Sequence, residues 1–280
     1  MDSRFSEQRR ERAMSELTTV LKDLAAAGDE TDRMVADLDD AQWALDTPAP
    51  GWTITDQIAH LTFVFRLAGT AAADPETFRA LAEGAKGDFD GAVRAALAAY
   101  RGDSPSALLA RWRDQRAETI DALAAVPPDR VVPWLVNPLP PAVLACAGLM
   151  ETFAHGQDIA DALGLRREPA DWLRHIAGFA VLTRDFGYQT HGLTPPVEPF
   201  RFELTGPSGQ PWTFGPEDAA QRVTGPALDF CLLVTRRRHR DDLALTATGA
   251  AADHWLGIAQ AYRGPAGEGR RPGQFPGTAR

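Results

Sequence analysis

Apolar residues first recur at helical spacing between about Arg12 and Leu38, at Met14, Leu17, Leu21, Leu24, Met34 and Leu38. Residues 1–10 ahead of it are polar and are expected to fray. Ala25-Ala-Ala-Gly28 is expected to interrupt or kink the run. After the turn Pro48-Ala-Pro50-Gly51, Thr53 and Asp56 make a capping-box-like start, with aspartate in place of the usual glutamate. The helix they open carries Ile58, Leu61, Phe63, Val64, Phe65 and Leu67 and reaches the alanines near Ala73. Residues 75–101 are alanine-rich and acidic, helical in character but weakly periodic. Ser104-Pro105 starts another strong helix with Leu108, Leu109, Trp112, Thr119, Ile120 and Leu123, and Pro127-Pro128 ends it. An extended connector, Val131 to Pro141, follows.

The run Pro141–Leu163 organises the rest. Proline costs no hydrogen bond in a helix's first turn, and Gly164 supplies a stop. On this helix Glu151, His155 and Asp158 stand at i, i+4 and i+7, so they share a face, with Cys146, Leu149, Phe153 and Ala160 opposite. Few other charges occur along it, which suits a central helix whose polar side lines an internal pocket better than a surface helix. A further helix, Trp172 to about Tyr188, is expected to complete an all-α bundle of four principal helices with one long crossover. Near Gly192 the period changes. Thr194–Pro199 reads as a linker, Phe200–Thr205 alternates at period two, and Gly206–Gly209 turns the chain into Pro211–Phe214, a β-hairpin signal. Gln221–Thr224 reads as a strand, Ala227 to about Arg236 as a helix and Ala251–Tyr262 as the last helix. The fold class is therefore α+β: a helical bundle over 1–192, a small α+β domain over 193–265, and a Gly/Pro/Arg-rich tail over 266–280 expected to be disordered.

Composition narrows the classes of function. The chain has 280 residues, 44% hydrophobic and 24% charged, as in an ordinary globular protein. Among them no apolar stretch approaches the roughly 18 residues a membrane span needs, and the N-terminus lacks the apolar core of a secretory signal, so a cytoplasmic location without membrane contact is expected. A net charge of −9 opposes broad phosphate-backbone binding, so no nucleic-acid partner is expected. Cys146 and Cys231 sit in apolar runs and read as buried free thiols rather than a disulfide. No phosphate-binding glycine loop or Gly-x-Ser-x-Gly elbow is present in the sequence.

The chemistry lies in two segments. Two ligands one turn apart on a helix, joined by a third from another helix, form a standard metal site of helix bundles. The third candidate is His60, in Gly51-Trp-Thr-Ile-Thr-Asp-Gln-Ile-Ala-His60-Leu. His60, Glu151 and His155 would leave one position open, the catalytic rather than the structural zinc pattern. Spacing alone equally fits a hydrogen-bonded core histidine at 60 and an exposed ion pair at 151 and 155. Trp52 reads as core, and Asp56 as a helix cap.

Together, the Gly-Trp-Thr-x-x-Asp-x-x-Ala-His-Leu segment and the later Glu-x-x-x-His-x-x-Asp resemble the DinB-like superfamily, and within it the mycothiol-dependent maleylpyruvate isomerase group. The resemblance implies a DinB-like four-helix bundle followed by a sterol-carrier-like α+β domain. It implies His60, Glu151 and His155 as metal ligands, with Glu151 pointing to the isomerase-like branch because many superfamily members use three histidines. Zinc is the first expectation, although the ligand types also suit nickel, iron or manganese. Asp158 matches an aspartate with a catalytic role. Val223–Arg238 resembles the group's second-domain helix, which ends in an arginine turned toward the active site; Arg237 is its counterpart by spacing, and Arg237 with Arg238 would contact the thiol cofactor. This chain has Arg236-Arg237-Arg238 where the group commonly has Gly-Arg, so the inward arginine is left open among the three, as is a solvated basic helix end. The expected function is metal-dependent catalysis with a low-molecular-weight thiol, mycothiol, acting on a small electrophile by isomerisation or S-transfer, in a monomer or homodimer. A thiol-independent hydrolase or cyclase, and a non-catalytic small-molecule binding module, are the alternatives.

Overall fold

The structure, a computed structural model, describes residues 2–84, 89–100, 102–135 and 137–275. The chain divides into two compact units, Met1–Arg167 and Glu168–Arg280.

The first unit is helical: α1 (Asp2–Val35), α2 (Asp40–Trp43), α3 (Ile54–Ala73), α4 (Pro75–Gly84), α5 (Phe89–Ala98), α6 (Pro105–Ala125) and α7 (Pro141–Leu163). Helices α1, α3, α6 and α7 pack on one another as the bundle. α1 runs without a break for 34 residues and already begins at Asp2, against the expected fraying and kink. The small residues of Ala25–Gly28 serve close packing instead: Ala27 is buried, and the Arg116 side chain of α6 occupies the space where a Cβ on Gly28 would lie. The caps are the expected ones. Thr53 and Asp56 make both bonds of a capping box at α3, Ser104 caps α6, and Gly164 closes α7 with φ of 65°. Residues 75–101 hold two short helices, and within the connector Val132 and Leu139 pair by two backbone hydrogen bonds of 2.8 and 2.9 Å. The core between α3 and α6 includes Phe65 edge-on to the fully buried Trp112, ring centres 4.9 Å apart.

The second unit holds α8 (Leu173–Leu182), α9 (Phe186–Thr190), β1 (Phe200–Thr205), β2 (Pro211–Phe214), β3 (Gln221–Pro226), α10 (Ala227–Val234), β4 (Thr246–Thr248) and α11 (Ala250–Ile258). Its sheet runs β2-β1-β3-β4; β1 pairs antiparallel with β2 and parallel with β3, and β4 pairs antiparallel with β3. The core is aromatic, with Phe202 of β1 against Phe230 of α10 at 5.5 Å and Trp255 of α11 at 5.4 Å.

Three expectations are corrected here. The helix expected at Trp172–Tyr188 is split at Thr183–Asp185 and belongs to the second unit, because α8 packs on α10 and β2; the unit boundary is at Arg167 rather than 192. The last helix stops at Ile258, after which Ala261 N–H bonds the Val234 carbonyl instead of continuing the helix. As far as Phe275 the tail is tied back, Gly273 N–H to Asp242 and the Arg238 guanidinium over the Phe275 ring at 4.3 Å; residues 276–280 of the expected disordered tail lie outside the described residues. Among the described residues no helix is long and apolar enough to cross a membrane.

Candidate metal centre

Helices α3 and α7 carry the three candidate ligands. The capping box sets where α3 begins, so His60 falls on its second turn, and the Pro140-Pro141 start of α7 sets the phase on which Glu151 and His155 follow one turn apart. Because α3 packs against α7, the three side chains meet. One nitrogen or oxygen of each lies within 4.8 Å of the others. Glu151 Oε2 is 3.2 Å from His155 Nε2 and 3.5 Å from His60 Nε2.

Those separations fit a shared cation. Nitrogen and oxygen atoms bound tetrahedrally at about 2.0–2.1 Å lie roughly 3.4 Å apart. All three side chains are largely but not wholly covered, with 15%, 24% and 12% of His60, Glu151 and His155 exposed, so a reactant can reach them. Burial opposes ionisation of Glu151, but hydrogen bonding and charge from His155 and His60 outweigh it and hold the carboxyl well below the usual carboxylate range. The site thus offers an anionic oxygen and two imidazoles, the donor set of catalytic zinc centres. The Nδ1 atom of His60 is buried with no hydrogen-bond partner among the described residues, leaving its ring held by packing.

Asp158 is fully buried one turn beyond His155 on the same side of α7. Arg237 and Arg238 lie in the second unit, just past the end of α10. There Arg236 takes φ of 59°, Arg236 N–H bonds Leu233 and Arg237 N–H bonds Leu232, a Schellman turn in which Arg236 occupies the usual glycine place. Arg237 Nη1 donates to the Thr235 carbonyl and Arg238 Nη1 to that of Arg237, each at 2.7 Å.

Two residues around the triad, Gln57 and Thr47, escaped the sequence reading, and Trp52 was read only as core. Gln57 is buried on α3 with its Oε1 2.5 Å from His155 Nδ1, and its Nε2 donates to Thr47 Oγ1 at 2.8 Å. Trp52 is no plain core residue: its ring stacks on His155 at 5.7 Å and meets His60 edge-on at 5.1 Å. The signal for Gln57 was its position one turn before His60, on the same face.

Comparison with known proteins adds the lineage. The family described as mycothiol maleylpyruvate isomerase N-terminal domain matches residues 24–160, a span containing His60, Glu151, His155 and Asp158. A second family, described as wyosine base formation, matches residues 196–248. Two Mycobacterium tuberculosis proteins, named Uncharacterized protein MT0041 (strain CDC 1551 / Oshkosh) and Uncharacterized protein Rv0036c (strain ATCC 25618 / H37Rv), are each 48% identical over 248 residues, covering 89% of this chain and 96% of the relative. The crystal structure of the mycothiol-dependent maleylpyruvate isomerase superposes with a TM-score of 0.57 at 16% identity, covering 82% of this chain and 92% of that one, a likeness of fold. A mutant of that enzyme superposes with a TM-score of 0.56. By its bundle, its His-Glu-His cluster and these relatives, the chain belongs to the DinB-like, mycothiol maleylpyruvate isomerase-like family.

Proposed function

We propose that the protein is a metal-dependent enzyme that uses a low-molecular-weight thiol, mycothiol, to isomerise or S-conjugate a small electrophilic substrate. The observation that carries this reading is the convergence of His60, Glu151 and His155 on one point that remains partly open. A divalent cation held there, zinc by donor type, supplies Lewis acidity that favours the thiolate form of a thiol at neutral pH. The chain's own thiols are unsuited to that task. Burial pushes Cys146 up to about 12 and Cys231 higher still, so the nucleophilic sulfur is brought by a cofactor.

The remaining roles follow from chemistry and from the family. The Trp52 ring, stacked on His155 and edge-on to His60, would limit the approach of water from that side. Asp158, one turn beyond His155 on α7, would exchange a proton at its carboxyl oxygen. Guanidinium groups such as those of Arg237 and Arg238 would suit an acidic group of thiol or substrate through a two-pronged hydrogen bond.

Purified protein is assayed for bound metal, and for turnover of maleylpyruvate with zinc and mycothiol. Turnover requiring both is expected, with His60→Ala, Glu151→Ala and His155→Ala each reduced to the level of the metal-free protein. Consumption of other electrophiles with loss of free thiol would select S-transfer. Turnover without thiol would replace this reading by a metal-dependent hydrolase or cyclase. Full activity of Glu151→Ala would end it.

A further inference from the structure

The contact between Gln57 and His155 has a direction that neighbouring groups dictate. Thr47 Oγ1 lies 2.8 Å from the Trp52 carbonyl oxygen, which can only accept, so the hydroxyl proton is committed there. The same hydroxyl can therefore only accept from Gln57, which turns the amide nitrogen toward Thr47 at 2.8 Å. The amide oxygen is then what faces His155 Nδ1, at 2.5 Å. An amide oxygen donates nothing, so Nδ1 carries a proton, and Nε2 is the ring nitrogen left to act as a ligand. Nε2 lies 3.2 Å from the Glu151 carboxylate, a separation at which the two atoms can share one cation, a proton or a metal ion.

Resting on the metal-centre reading above, we infer that Gln57, braced by Thr47, is a positioning residue of that centre, holding the His155 proton on Nδ1 so that Nε2 is the ligating atom. Gln57 is fully buried, so water does not compete for this bond. The brace also ties the ligand to Trp52, since Thr47 N–H and Oγ1 both bond the Trp52 carbonyl, each at 2.8 Å. One short loop thus sets the tautomer of His155 and seats the ring stacked on it. The neutral amide has a further consequence. Metal-bound histidines commonly lean on a carboxylate, which makes the imidazole a stronger donor. Here the acceptor carries no charge, so a divalent cation with one carboxylate and two neutral imidazoles keeps net positive charge for an incoming anion such as a thiolate.

The test compares the full-length protein with Gln57→Leu, Gln57→Glu and Thr47→Val, using zinc affinity from chelator competition, the visible spectrum of the cobalt-substituted protein, and long-range nitrogen NMR of the metal-free histidines. His155 of the wild type is expected as the Nδ1–H tautomer. Gln57→Leu should lose about 10–100-fold in zinc affinity with a changed cobalt spectrum. Gln57→Glu, which still accepts from Nδ1, should bind within a few-fold of wild type. Thr47→Val, which frees the amide to turn over, should show a mixture of tautomers. Wild-type zinc affinity in a folded Gln57→Leu, or an Nε2–H tautomer in the wild type, overturns the inference; should Gln57→Leu fail to fold, the wild-type and Thr47→Val spectra decide it. Zinc binding lost in His60→Ala but untouched in Gln57→Leu removes this inference alone, whereas a wild type that binds no zinc removes the metal centre with it.

Discussion

At the scale of single residues, Arg236 shows how one side chain can occupy a place built for another. A Schellman turn needs a left-handed residue after the helix, a conformation that costs an L-residue with a Cβ roughly 1–2 kcal/mol. Arg236 accepts that cost at φ of 59°, and its Nη2 reaches the Gly267 carbonyl at 3.4 Å. Replacing it by glycine, Arg236→Gly, is expected to raise stability by about 0.5–1 kcal/mol, partly reduced by glycine's greater freedom in the unfolded chain. A urea midpoint moved upward at constant slope would register this. A lowered midpoint would mean that the arginine side chain matters more than its backbone.

At the scale of elements, the triad depends on α1 holding α7 in place as much as on α3. Arg167, just past α7, folds back with its Nη1 on the Phe153 carbonyl at 2.8 Å and its Nε on Glu30 of α1 at 2.7 Å. Its guanidinium also lies over the Phe153 ring, 5.2 Å from the centre. One side chain therefore joins α1 to the turn of α7 that leads to His155. Removing one partner of a buried pair is strongly destabilising, and Glu30 is 22% exposed, which softens the effect. Arg167→Ala is expected to cost about 2 kcal/mol in chemical denaturation. Arg167→Lys should recover little of it, because lysine cannot reach both acceptors with a planar fork. Full recovery by lysine would show that charge alone does the joining.

For the molecule as a whole, the two units have separate cores, and the candidate ligands all belong to the first. A ligand that binds only the folded state stabilises it by about 2.7 kcal/mol at a hundredfold excess over Kd. Zinc at that excess is expected to slow hydrogen exchange in α3 and α7, which carry the triad. The sheet β1–β4, which supplies none of the three ligands, should keep its rates. Exchange measured with and without zinc checks this; protection spread evenly over both units would place the binding elsewhere.

What could be read from the chain alone was what neighbours along it decide. Caps act over three residues and helical faces over four, so the start of α3 at Thr53, the stop of α7 at Gly164 and the shared face of Glu151 and His155 were all visible there. The same holds for the β1–β2 hairpin, whose alternation and turn lie within one short segment. Packing decided the rest. The helix at Leu173–Leu182 looked like part of the bundle, and only its fit against α10 assigns it to the second unit. Strand β4 is three residues long and exists because β3 offers an edge to pair with. Gln57 meets His155 across 98 positions of sequence, and Thr47 meets Gln57 across a turn that no periodicity marks. Local free energies determine where helices begin and end and which side chains share a face. Which proton a histidine keeps depends on groups that only the folded chain brings within hydrogen-bonding distance.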